Sequence, residues 1–121
     1  MVKFTKALPA KMSDGEIREK VDEAVKFVNE DKKYEAAKAK IVEISKSIER
    51  FGPPPSEVVE LLKPDVIEVL KELANEGGPL AVPPEAFWAF NMTEEERSVI
   101  EDISIKYLRR SEYEEYHPPR T

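Results

Sequence analysis

Gly52 is followed by three consecutive prolines, Pro53–Pro54–Pro55, and neither a helix nor a central strand passes through such a run. The chain divides there, and each side is read for its own period. Upstream, Ser13 with Glu16 three positions on has the form of a capping box, in which each side chain satisfies an orphan backbone N–H. Ile17, Val21, Ala24, Val25 and Val28 then repeat at helical spacing and predict a first helix over 14–29. Carried on from Val28 at heptad spacing, that stripe lands on Asp31, Glu35, Lys38 and Val42, mostly charged. A different stripe, Tyr34, Ala37, Ile41, Ile44, Ile48 and Phe51, fits instead. The apolar face therefore rotates between 28 and 34, as it does if the chain turns near 29–32. An antiparallel helical hairpin is the simplest outcome, and one long bent helix is the alternative. No internal repeat accompanies the turn.

Downstream, Ser56 is expected to cap a third helix carrying Val58, Val59, Leu61 and Leu62, with Pro64 either starting a new helix or kinking this one. Val66, Ile67, Val69, Leu70, Leu73 and Ala74 continue to Gly77–Gly78, which end it. Residues 56–76 are apolar on more than one side and are expected to form the buried centre. Thr93 with Glu96 is a second capping box and predicts a last helix over 94–110, with Val99, Ile100, Ile103, Tyr107 and Leu108 as its buried stripe. Strict apolar–polar alternation never runs beyond a few residues. The single Asp-Gly dipeptide, Asp14–Gly15, sits at a helix start rather than between β-rich runs. The expected fold is all-α, a compact bundle of four to six helices without a sheet. It comprises a basic arm (1–13), one helical domain (14–110) and a polar aromatic tail (111–121).

Composition narrows function more than it defines it. The 121 residues suit one domain, and 36% are charged, with a net charge of −6. No apolar run approaches the ~18 residues of a membrane span, and no signal-peptide core follows Met1, so a cytoplasmic location is expected. With no cysteine there is no disulfide, thiolate metal site or cysteine nucleophile. Glutamine is absent, asparagine occurs three times, and Lys and Glu dominate the charges. That bias is expected of a protein from a hot environment, where amides are labile and ion pairs cost less to desolvate.

Candidate chemistry is sparse. Glu114 and His117 have the Glu-x-x-His spacing of carboxylate-bridged metal sites, but the chain has no second histidine, and Pro118 disfavours helix at His117. Glu94, Glu95, Glu96, Glu101 and Asp102 are read as the solvated start of a capped helix, favourable to its dipole. Gly77–Gly78 lacks the lysine and further glycines of a phosphate loop. No catalytic residue, cofactor or metal ligand is assigned, and the chain is not expected to be an enzyme.

Binding features are clearer. Residues 1–13 contain Lys3, Lys6 and Lys11 and no acid, and Lys32, Lys33, Lys38, Lys40 and Lys46 give the second helix a lysine-bearing surface. The interleaved acids are read mainly as intrahelical partners, as in Glu16–Lys20 and Asp22–Lys26. The run Pro79–Phe90 carries no charge but Glu85 and holds Phe87, Trp88 and Phe90. Either these aromatics fold back to complete the core, the favoured reading, or they form an exposed docking segment. The candidate partner contacts are Phe87, Trp88, Phe90, Lys3, Lys6, Lys11, Tyr113 and Tyr116. The expected function is a non-catalytic protein–protein interaction or assembly module: an accessory subunit or a self-assembling structural protein. Its alternative is a nucleic-acid-associated regulator using the basic arm.

Overall fold

The computed structural model describes residues 11–116, with side chains described through Ser111. Within that span the chain is an all-α bundle with no strand. Helix α1 (Asp14–Lys26) begins at Ser13, whose hydroxyl accepts the Glu16 N–H at 3.1 Å. It runs into one widened π-helical turn, Phe27–Asp31, and reverses at Lys32, whose φ of 54° is left-handed. The Lys33 N–H donates to the Phe27 carbonyl and closes that turn. Helix α2 (Tyr34–Phe51) returns antiparallel, and Lys20–Glu43 (3.2 Å) and Lys40–Glu23 (3.1 Å) bridge the two helices. The hairpin forms where the stripe rotates. Lys20 and Lys40 pair across the hairpin rather than along it, and neither Glu16–Lys20 nor Asp22–Lys26 is an ion pair: Lys20 is taken by Glu43 of α2, and Lys26 stands exposed.

Gly52 ends α2 at a φ of 92°, its N–H donating to the Ile48 carbonyl, and the prolines carry the chain to α3 (Ser56–Gly77). Here the expected boundaries change. Pro55 is the N-cap, so Ser56 is the first helical residue and makes no side-chain cap bond. Pro64 neither starts a helix nor ends one. It sits exposed on the outer surface of a single long helix, where only the Glu60 carbonyl loses its partner N–H. The inner surface is broad: Val59, Leu62, Val66, Val69, Leu70, Leu73 and Ala74 are all buried, and α3 packs against α1, α2 and α5. It is the centre of the molecule. Each large aliphatic side chain buried there contributes on the order of 1.5–3 kcal/mol.

Gly78 caps α3 with a φ of 74°. A connector then returns along the bundle through a 3-10 turn (Pro79–Ala81) and a one-turn helix, α4 (Glu85–Ala89). Helix α5 (Glu94–Tyr116) runs beside α3 in the same direction: Lys63 meets Glu96 at one end, and the Arg110 guanidinium donates to the Asn75 carbonyl at the other. The Tyr107 ring lies so close to Gly78 that a Cβ there would sit 2.5 Å from its Cδ1. The expected end at 110 is too early, since the backbone stays helical to Tyr116. The expected stripe is also only partly right. Ile100 and Ser104 are buried and Ile103 and Tyr107 half-buried, whereas Val99 and Leu108 are 46% and 45% exposed.

One buried charge joins these parts. The Lys63 ammonium donates to the Asn91 carbonyl at 3.0 Å and pairs with Glu60 and Glu96, both at 3.3 Å. Glu96 also closes the full capping box at the start of α5, accepting the Thr93 N–H at 2.8 Å while its own N–H donates to the Thr93 hydroxyl. The Thr93 backbone N–H, with the Lys63 ammonium, holds the Glu96 carboxyl below its usual range. Lys63→Met keeps the buried stem but strips the Asn91 carbonyl of its donor. It is expected to cost about 1–3 kcal/mol in urea denaturation, against about 0.5 kcal/mol or less for Glu60→Gln. Because the folded pKa of Glu96 is depressed, its contribution is complete above the unfolded value of about 4.3 and lost as pH falls through the lower folded one. Denaturation midpoints measured from pH 6 down to pH 3 should therefore fall more steeply for wild type than for Glu96→Gln.

Candidate interaction surface

The connector is fixed from beneath and open above. Phe90 is 1% exposed, and Ala86, Ala89, Val82 and Pro83 are buried with it. The Lys38 ammonium donates to the Leu80 carbonyl at 2.9 Å, tying the 3-10 turn to α2. Because α4 is a single turn with Ala86 and Ala89 directed inward, residues 87 and 88 fall on its outer side. Trp88 is 53% exposed and Phe87 half-buried, while the Leu80 side chain is 88% exposed although its carbonyl is held.

The aromatic run thus divides between its two readings. Phe90 completes the core and is withdrawn as a partner contact: a side chain with 1% exposure presents nothing to a partner. Trp88 does not fold back as the favoured reading required, because small alanines already fill the space beneath α4. Phe87 lies between, with the Arg97 guanidinium 5.8 Å from its ring centroid and Arg97 in turn paired with Glu101. Among the lysines, Lys11, Lys32, Lys33 and Lys46 are exposed, but Lys38 and Lys40 are engaged with the Leu80 carbonyl and Glu23. Lys3, Lys6 and His117 lie outside the described residues, and Tyr113 and Tyr116 lie on the α5 backbone with side chains outside them.

Among the clefts around α4, two are mainly apolar. One, of about 590 Å³, lies between Trp88 and the α2–α3 junction, where Ile48, Pro53, Pro54 and Val59 line it. The other, of about 540 Å³, runs between the connector and α5, with Leu80, Pro84 and Phe87 on one wall and Ile105 and Leu108 on the other. Ile105 is 46% exposed. The sequence reading passed over Leu80 and Ile105 and placed Leu108 in the core. The available signal was angular: Ile105 and Leu108 lie well off the Ile100–Ile103–Tyr107 line, too far round the helix to share its buried side.

The rest of the described surface offers little chemistry. No group of three or more His, Asp or Glu side chains is placed to hold a metal among the described residues. No helix of the described residues is long and apolar enough to cross a membrane. The serines Ser45 and Ser104 spend their hydroxyls on the Ile41 and Ile100 carbonyls one turn back. Comparison with protein-family models, with curated proteins and with solved structures finds no match to this chain.

The split between the aromatics is directly measurable. Phe90→Ala should lower unfolding free energy by about 3–5 kcal/mol, the range for an aromatic removed from a packed core. Trp88→Ala should lower it by about 1 kcal/mol, in line with its half-exposed area. Comparable losses for the two variants would show that Trp88 belongs to the core.

Proposed function

We propose that this chain is a non-catalytic protein–protein interaction or assembly module, acting as a small accessory subunit of a larger complex or as a self-assembling structural protein. The observation that carries this reading is the apolar surface around α4. Trp88 and Leu80 stand exposed on a connector whose backbone is pinned by Phe90 and Lys38, with an apolar cleft on either side of the short helix. A rigid aromatic anchor beside pre-formed clefts is the arrangement from which binding hot spots are built, because little ordering entropy remains to be lost on contact. Several large apolar side chains gathered on one side of a small acidic domain are more than core packing requires.

The alternative, a nucleic-acid-associated regulator, rests on the basic arm. It gains little from α2, where Lys38 and Lys40 are committed to protein acceptors and Lys46 is the one exposed lysine left. The expected outcome of tagged capture from source extract is a stoichiometric protein that survives nuclease treatment and is lost with Trp88→Ala or Leu80→Asp. Recovery of nucleic acid, with all partners lost after nuclease, would replace this reading with the regulator.

A further inference from the structure

We propose that the basic arm, residues 1–10, covers the Trp88 cleft of its own chain. That cleft lies beside the point where the arm joins the domain. Helices α1 and α2 are antiparallel, so the start of α1 meets the Phe51 end of α2, and there Met12 lines a groove of about 660 Å³ with Phe51, Glu49 and Arg50. Glu49 also lines the Trp88 cleft, so the two depressions adjoin at that residue. The ten residues before Lys11 span up to about 33 Å when extended, roughly three helix diameters. Residues 117–121 lack that reach. They follow Tyr116, whereas α5 starts next to the cleft, at the Lys63–Asn91–Glu96 junction. The 23 residues of α5 put its two ends about 33 Å apart, and five extended residues cover only about 17 Å.

Chemistry agrees with reach. Ile48, Pro54, Val59 and Trp88 give the cleft its apolar walls, and the two charged residues that line it, Glu49 and Glu60, are both acids. Glu60 already faces Lys63, but Glu49 is exposed and has no ion pair among the described residues. The arm supplies the complement: Lys3 and Lys6 with no acid, and Phe4 and Leu8 among its apolar residues. In the neighbouring groove Lys46 and Arg50 offset the acids, so the Trp88 cleft is the better seat for a cationic segment. A tethered segment meets its site at an effective concentration on the order of millimolar, so modest contacts suffice to hold it. The inference goes beyond the module reading and gives it a consequence: a partner anchored on Trp88 has to displace the arm.

Trp88 is the sole tryptophan, so its fluorescence reports on the cleft without a label. Acrylamide, a neutral quencher, is titrated into the full chain and three full-length variants at several protein concentrations. F4D/L8D removes apolar side chains of the arm, K3E/K6E reverses its charge, and Glu49→Lys reverses the acid it meets. Each is expected to raise the quenching constant and shift emission to the red, roughly twofold in the constant for F4D/L8D, as the tethered contact is lost. Far-UV circular dichroism should stay unchanged in all three, because the helical domain starts at Asp14 and Glu49 is exposed on α2. If any of the three is quenched like wild type, the proposal falls. Protection of Trp88 that fades on dilution also overturns it, since the occupant is then a second copy. Either result leaves the module reading to the nuclease-resistant capture through Trp88, which does not depend on residues 1–10 or on Glu49.

Discussion

Everything on the functional side of this molecule depends on where the Lys63 ammonium sits. A lysine 7% exposed needs its donors satisfied, and Lys63 meets that need with the Asn91 carbonyl, Glu60 and Glu96. Those acceptors belong to three different places: the helix carrying the lysine, the turn leaving α4, and the first turn of α5. One cation therefore fixes the angle at which the connector arrives and the point from which α5 departs. Asn91 adopts a left-handed φ of 55° at this junction, a conformation asparagine tolerates better than most residues, and its carbonyl is delivered to the lysine. At the other end Tyr107 against Gly78 and Arg110 on the Asn75 carbonyl complete the docking of α5. The apolar grip between α5 and the bundle is narrow, so these polar contacts set its position.

The hairpin was legible from the sequence because both of its helices face one core and carry one clean stripe each. The rotation between Val28 and Tyr34 located the turn, and the structure reverses at Lys32. Helix α3 was legible as the centre because its apolar residues exceed one side. Its start was not: Pro55 takes the N-cap position and places Ser56 one residue inside the helix, where its hydroxyl makes no cap bond. Helix α5 was legible in type and start, through Thr93 and Glu96, but not in extent or facing. Its last described turns hold no apolar stripe, and the Glu, Arg and Leu residues there extend the helix by propensity through Tyr116.

The facing error on α5 has a physical cause that matters for the candidate surface. Periodicity reports which residues share a side of a helix, not how much of that side another element covers. An edge helix touching essentially one neighbour buries a strip one or two side chains wide. On α5 that strip is Ile100 and Ser104, with Ile103 and Tyr107 at its margins. The remaining apolar residues, Val99, Ile105 and Leu108, are left at intermediate exposure on the two flanks. The same reasoning explains the aromatic connector. A one-turn helix over α2 has room beneath it for alanines only, so a tryptophan next to Ala89 must point away.

Exposure of this kind is not forced by shortage of core. Phe90 fills the position beneath the connector, the buried aliphatics of α1, α2 and α3 close around it, and no buried side-chain polar atom among the described residues lacks a partner. A chain with a satisfied interior could carry polar residues at 80, 88, 105 and 108 at a cost of only about 1 kcal/mol or less each. Apolar residues there instead raise the risk of non-specific association, which the net charge of −6 opposes at long range. At short range the opposition is local, since several of these apolar side chains have an ion beside them: Arg97 at Phe87, Lys38 beneath Leu80, Asp102 and Arg109 near Ile105 and Leu108 in the sequence. Apolar area supplies attraction to any similar surface, and charges at its margin decide which surface and which orientation are accepted. That combination, on a connector and helix held rigid by Lys63 and Phe90, is the physical basis for reading this small bundle as a specific interaction module.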